Sequence, residues 1–300
     1  MNEKSILSFD SKKGAASISV FSNSVLVLTK LVVGIFTGSV SIVSEAAHSA
    51  VDLLAALIAY YAVSTSDKQA DQQHSYGHGK IENISGAVEA LLIIVAALWI
   101  IYEASQKLSA EAMPKDLEYG IAIMIISIII NYFVSRRLFQ VAKTTQSHAL
   151  EADALHLQAD IWTSVGVLAG LIAIKVTGLI WLDPVIAIVV ALIIFKAGYD
   201  MTKKSLSELT DSALAEEEQA IIRDIIENHS GIKDYHNLRT RRSGSKRLVD
   251  VHIILEADLP LRQAHDICDE IETLIETRLA PCDVVIHSEP FGDSKAQTAK

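Results

Sequence analysis

Cysteine is scarce: the 300 residues hold two, Cys268 and Cys282, and they form no C-x-x-C pair. Two reduced or buried thiols are therefore expected. No His-Glu-x-x-His run occurs, which argues against a membrane metalloenzyme built on that motif, and no catalytic residues are assigned. Met1 to Ser11 lacks an apolar core and carries acidic residues, so no cleavable signal is expected and the first apolar segment should be retained. Past Asp211 no long apolar stretch recurs, and that region contains the run Glu216-Glu217-Glu218. With a formal net charge of −10, this acidity argues against nucleic acid as a partner.

Apolar residues make up 50% of the chain although 21% are charged, so the apolar content must be concentrated in blocks. A bilayer helix needs about 20 mostly apolar residues. Six stretches meet that length, roughly 15–37, 40–64, 84–106, 118–140, 150–177 and 182–201. Residues 1–211 are thus expected to form a six-helix transmembrane domain and 212–300 a cytosolic domain. Basic residues fix the orientation. Lys12, Lys13, Lys68, Lys80, Arg136, Arg137, Lys143, Lys203 and Lys204 fall on one side, and only Lys107, Lys115 and Lys175 on the other. Both termini should face the cytoplasm.

The tail reads as helix, strand, strand, helix, strand, a small α+β sandwich. Ile221, Ile222, Ile225 and Ile226 repeat at helical spacing, with Gly231 placed to stop the helix. Along Leu248 to Glu256, Val249, Val251, Ile253 and Leu255 share one face and leave His252 on the more polar one. Pro260 opens a second helix, and Asp283 to Ser288 gives the last strand.

Charges inside the spans carry most of the functional information. Each ionisable side chain at mid-bilayer costs about 2.5 to 3.5 kcal/mol on insertion scales, so such groups must face one another or water. Helix two holds Glu45, His48 and Asp52, and helix five holds Asp153, His156 and Asp160; both read acidic-x-x-His-x-x-x-Asp. A spacing of four residues puts each His and its Asp on one helix face, one turn apart. Two such faces opposed make a four-ligand cage whose nitrogen and oxygen donors suit tetrahedral Zn²⁺, and two carboxylates with two neutral imidazoles balance a divalent charge. Hydrogen-bonded glue between helices is the plainer alternative, but it does not require two matching pairs. Glu45 and Asp153, a turn earlier, are assigned to an access path or to proton handling.

Histidine clusters twice more. Asp71, His74 and His78 lie in a loop whose glycines permit a path tight enough to converge on one ion. In the tail, His236, His252 and His265 come from separate elements, and His287 and Glu289 alternate on one face of the last strand. His148 and His229 are read as ordinary surface residues.

These blocks resemble a family. Gly38-Ser39-Val40-Ser41-Ile42, His48 to Asp52, His74 to Lys80, Asp153 to Asp160, Leu238-Arg239-Thr240-Arg241 and Val285-Ile286-His287 occur in the order seen in cation diffusion facilitators. The chain is similar over nearly its whole length to their bacterial zinc and ferrous-iron efflux branch. The resemblance implies a homodimer in the inner (plasma) membrane, six helices per chain, and a cytosolic metallochaperone-like (ferredoxin-like) domain. It places the transport site on His48, Asp52, His156 and Asp160, a loop site on Asp71, His74 and His78, and a binuclear regulatory zinc site on His236, His252, His265, His287 and Glu289. Lys80 and Asp211 match an interlock at which the family's protomers pivot. His48 stands where the bacterial branch often has Asp, as in the zinc-selective members, and Glu289 where Asp is usual. Site chemistry and resemblance together predict export of a divalent transition metal, Zn²⁺ first, against protons. The alternatives are Fe²⁺, Mn²⁺, Co²⁺ or Cd²⁺ as main substrate, or a metal-sensing scaffold that does not transport.

Overall fold

The computed structural model describes residues 11–37, 40–107, 117–179 and 181–292. Gly38, Ser39 and Lys115 lie outside them, as do the side chains of Glu45, Lys107 and Lys175. The chain divides into two compact units, one of residues 1–70 and 80–206 and the other of 71–79 and 207–300.

The first unit is the transmembrane domain. It contains α1 (Lys12–Thr37), α2 (Val40–Ser66), α3 (Lys80–Lys107), α4 (Leu117–Thr145), α5 (His148–Thr177) and α6 (Leu182–Leu209). Among the described residues, α1, α2, α3, α4 and α6 contain segments long and apolar enough to cross a membrane. α5, the longest of the six helices, carries an ionisable face with Glu151, Asp153, His156 and Asp160. That face is turned inward: Asp153 and His156 are buried, which is how a polar helix survives in a bilayer. Small residues allow the close packing expected between membrane helices. Ala15, Ala16, Ala62, Ala142, Ala149 and Ala154 belong to one buried cluster, where α1 packs on α2 and α4 on α5. Against α6, Gly166 of α5 meets Val190, and Gly198 meets Ile93 and Ile94 of α3.

Buried ionic links tie the helix ends together. Glu82, at the start of α3, is fully buried. It accepts hydrogen bonds from Lys12 Nζ of α1 at 2.9 Å, from Ser66 Oγ of α2 at 2.7 Å, and from the hydroxyl of Ser147 just before α5. His148 is likewise buried, at 5% exposure, and lies 3.9 Å from Glu151. The reading of His148 as a surface residue is therefore corrected: its position at the first turn of α5, packed against the end of α4, removes it from solvent. His229 is also largely covered, and its Nδ1 accepts a hydrogen bond from the Gly231 amide at 3.2 Å.

The second unit has the order α7 (Glu216–Glu227), β1 (Asp234–Ser243), β2 (Lys246–Leu255), α8 (Leu261–Leu279) and β3 (Cys282–Pro290). β2 is the central strand, antiparallel to β1 and parallel to β3. The helices cover one face. Ile222 and Ile226 of α7, and Ile271 and Ile275 of α8, pack on Val249, Val251 and Ile253 of β2. This is the alternation read from the sequence, and it leaves the opposite face for His252.

The acidic run opening α7 is more than surface charge. Glu218 bonds Arg242 at 2.6 Å and Arg247 at 2.8 Å. Burial pushes its carboxyl up, but the two guanidiniums outweigh burial and hold it below its ordinary range. A depressed value means that this stabilisation is fully present above the unfolded pKa and is lost as pH falls through the folded one. Glu218→Gln should therefore lower the melting temperature of the full chain at neutral pH. The gap between variant and wild type should close below about pH 4, as thermal melts at stepped pH would show; a gap that persists in acid would contradict the pairing.

Candidate metal centres

The helical phase of α2 and α5 places two His-Asp pairs toward one cavity. His156 Nε2 and Asp52 Oδ1 are 3.3 Å apart, and ligand atoms of His48, Asp52 and Asp160 lie within 4.8 Å of one another. All four residues line a cavity of about 610 Å³. Asp52 and His156 are buried at 6% exposure each, while His48 is exposed. His156 Nδ1 and Asp160 Oδ2 are buried without a hydrogen-bond partner among the described residues. Buried polar atoms are nearly always paired, so donors left open toward a cavity suit a cation that completes their coordination. Two imidazole nitrogens and two carboxylate oxygens from two rigid helices fit Zn²⁺ well.

Two charged residues here were passed over in reading the sequence. Lys30 of α1 is buried at 6% exposure, lines the same cavity and donates to Ser49 Oγ at 2.8 Å. Glu89 of α3 is fully buried; its Oε1 accepts from Ser85 at 3.1 Å and its Oε2 has no partner among the described residues. The available signal was simple, a lone charge inside an apolar span. Asp153 is fully buried too, and among the described residues neither of its oxygens has a hydrogen-bond partner within 3.5 Å.

The loop residues also converge. Asp71 Oδ1 accepts from the amides of Gln73 at 2.8 Å and His74 at 2.7 Å, an Asx-type turn that folds the chain back on itself. His74 Nδ1 and His78 Nε2 each stand 3.4 Å from the Asp71 carboxylate, with the two rings 4.4 Å apart. The His74 amide is the main influence holding the Asp71 carboxyl below its ordinary range, so it remains an anionic ligand in mild acid. Gly77, at φ +81°, closes the turn. The loop is seated on the β1–β2 hairpin of its own unit: Arg241 lies 4.9 Å from the centre of the Tyr76 ring, and a Cβ at Gly79 would overlap the Ser243 carbonyl.

On the open face of the sheet, strand register builds the third group. His236 of β1 pairs with His252 of β2, which pairs with His287 of β3. Neighbouring rings along this ladder are 5.0 and 4.7 Å apart. A bulge between His236 and Arg239, with Asn237 at φ +51°, sets the phase of β1 at this point. Glu289 reaches across the strands to His252 at 2.9 Å, His236 at 3.6 Å and His287 at 3.7 Å. The ligand atoms of His236, His252 and Glu289 lie close enough to share an ion. His265 is not brought into this group within one chain; it lies on α8, 3.4 Å from Asp269. Lys80 begins α3, and Asp211, at φ +60°, pairs with Arg241 at 3.2 Å.

Comparison with known proteins identifies the family. Residues 16–210 match the model of the cation efflux transmembrane domain, and 214–291 that of the cation efflux protein cytoplasmic domain. An uncharacterized transporter of Synechocystis is 36% identical over 261 residues, 87% of this chain and 84% of its own. The cation-efflux pump FieF of Serratia proteamaculans is 31% identical over 278 residues, 93% of this chain and 92% of its own. A solved chain of the candidate zinc transporter CzrB is 30% identical, covering 27% of this chain and 100% of its own with a TM-score of 0.26. The two family models together span residues 16–291 almost without a gap, and the chain belongs to the cation diffusion facilitator family of cation efflux transporters.

Proposed function

We propose that this transporter carries Zn²⁺ out of the cytoplasm in exchange for protons, working as a homodimer with both termini cytoplasmic. The observation that carries the reading is the convergence of His48, Asp52, His156 and Asp160 on one cavity within the membrane unit. Two carboxylates provide most of the charge compensation for a dehydrated divalent ion, and two imidazoles favour Zn²⁺ over ions that prefer all-oxygen sites, such as Mn²⁺ and Mg²⁺. Protons take the emptied ligands after release outside. Glu89 and Asp153, two fully buried carboxyls whose charges act on one another, are suited to holding protons next to the site. The loop triad and the sheet-face cluster bind the same ion on the cytoplasmic side. There, metal placed between two acidic tail domains reduces their repulsion and draws the protomers together.

Flux into proteoliposomes with Zn²⁺, Fe²⁺, Mn²⁺ and Cd²⁺, with and without a pH gradient, tests this. Zn²⁺ should move fastest and be accelerated by a gradient that supplies protons on the opposite side. Faster Fe²⁺ or Mn²⁺ flux would change the substrate, and indifference to the gradient would remove the antiport. No flux of any ion would favour a sensing scaffold.

A further inference from the structure

The cavity around the His/Asp tetrad holds a positive charge belonging to the protein itself. Lys30 stands well inside α1, with Val25, Leu26, Val27 and Leu28 on one side and Leu31, Val32 and Val33 on the other. A lysine in an apolar span usually extends along the helix toward the interface. This one is turned inward: it is buried at 6% exposure and held on Ser49, the residue after His48, at 2.8 Å. It lines the same cavity as His48, Asp52, His156 and Asp160, and its charge acts on the Asp160 carboxylate.

A resident cation inside a cation site opposes binding, so its presence must serve some other step. At the moment the ion leaves, before protons reach the emptied ligands, two neutral imidazoles, two carboxylates and the Lys30 ammonium together carry −1, and a divalent ion added without movement of Lys30 makes this group +1. Neither state is extreme, whereas without the lysine the vacated tetrad would carry −2 in a medium where isolated charges are costly. We propose that Lys30 is a tethered counter-cation of the transport site, which compensates Asp52 and Asp160 when the divalent ion leaves and is pushed back when the ion enters. Ser49 Oγ is the resting point of that ammonium. The device lowers affinity in order to speed release, because an ion leaving toward the outside is replaced at once by a charge that cannot diffuse away. This inference rests on the tetrad being the transport site.

The test is the KM-against-kcat split for Zn²⁺ flux in proteoliposomes carrying the full-length chain. Lys30→Met should lower both KM and kcat by about tenfold, the size expected for one unit charge acting at short range in a partly polar interior. Lys30→Gln retains a donor toward Ser49 without the charge and should move both constants in the same direction; it carries the test if the methionine variant does not fold. Lys30→Arg keeps the charge and should recover most of the lost turnover. A raised KM in both neutral variants would overturn the proposal, showing Lys30 to support the site's shape. Ser49→Ala reproducing the lysine phenotype would also overturn it, by assigning the effect to the hydrogen bond. An Asp52→Ala variant measured alongside separates the two layers of the argument: wild-type-like flux there removes the transport-site reading, whereas flux lost there but unaltered in both neutral Lys30 variants removes the counter-cation alone.

Discussion

Replacing Asp52 or Asp160 by alanine should abolish metal transport while leaving the helical unit folded. Each carboxylate supplies one of the two negative charges facing the cavity's ion. Its removal leaves a divalent cation undercompensated in a poorly solvated space, a loss of the kind that costs about 3 to 5 kcal/mol when one member of a buried ion pair is deleted. That corresponds to a fall in flux of about two to four orders of magnitude. The fold should tolerate the change, because Asp52 faces His156 at 3.3 Å, and Asp160 Oδ2 is bonded to none of the described residues. Zn²⁺ uptake into proteoliposomes, paired with thermal melts of the same preparations, checks both halves. Near-normal flux in both variants would sink the assignment of the tetrad; a collapsed melting temperature would show that these carboxylates support the fold.

The second large effect concerns stability. Glu82→Ala should destabilise the membrane unit by about 3 kcal/mol or more. This carboxylate has no exposed surface and gathers Lys12, Ser66 and Ser147 from three other parts of the helical unit, so its loss leaves several buried donors poorly satisfied at once. It also sits in the first turn of α3, where a negative charge favours the helix. Glu82→Gln keeps an acceptor for the hydroxyls and loses the ionic part, so it should fall between alanine and wild type. Thermal or denaturant unfolding of the full chain in micelles gives the order. A Glu82→Ala loss below about 1 kcal/mol, the level of an exposed ion pair, would mean that Lys12 finds equal compensation from Asp67, 3.5 Å away.

Several features were legible in the sequence because they depend on periodicity alone. The apolar blocks set six helices, the His-x-x-x-Asp spacing put two ligands on each of two helix faces, and alternation along Val249, Val251, Ile253 and Leu255 set the buried face of the sheet. Helical phase and strand pleat are fixed by covalent geometry, so such patterns survive into the fold unchanged. The sequence also gathered Asp71, His74 and His78, since eight residues with a tight turn leave them little room to separate.

Only the tertiary structure decided which charges face one another. Lys30, Glu82 and Glu89 looked like isolated charges in or beside apolar spans, and their meaning came from partners on other helices, with Ser49 and Ser66 on α2, Ser147 before α5, and Asp153 on α5. His148 looked exposed and is buried. On the tail, alternation placed His252 on the open face, but the ladder His236–His252–His287 required a strand register and a bulge at Asn237 that no local pattern encodes. The same register let Glu289 reach three imidazoles and left His265 beside Asp269. Sequence spacing specifies which side of its own element a residue takes, because that is a property of one backbone. Which side chains meet across elements depends on how the elements pack, and packing is settled by the sum of many distant contacts.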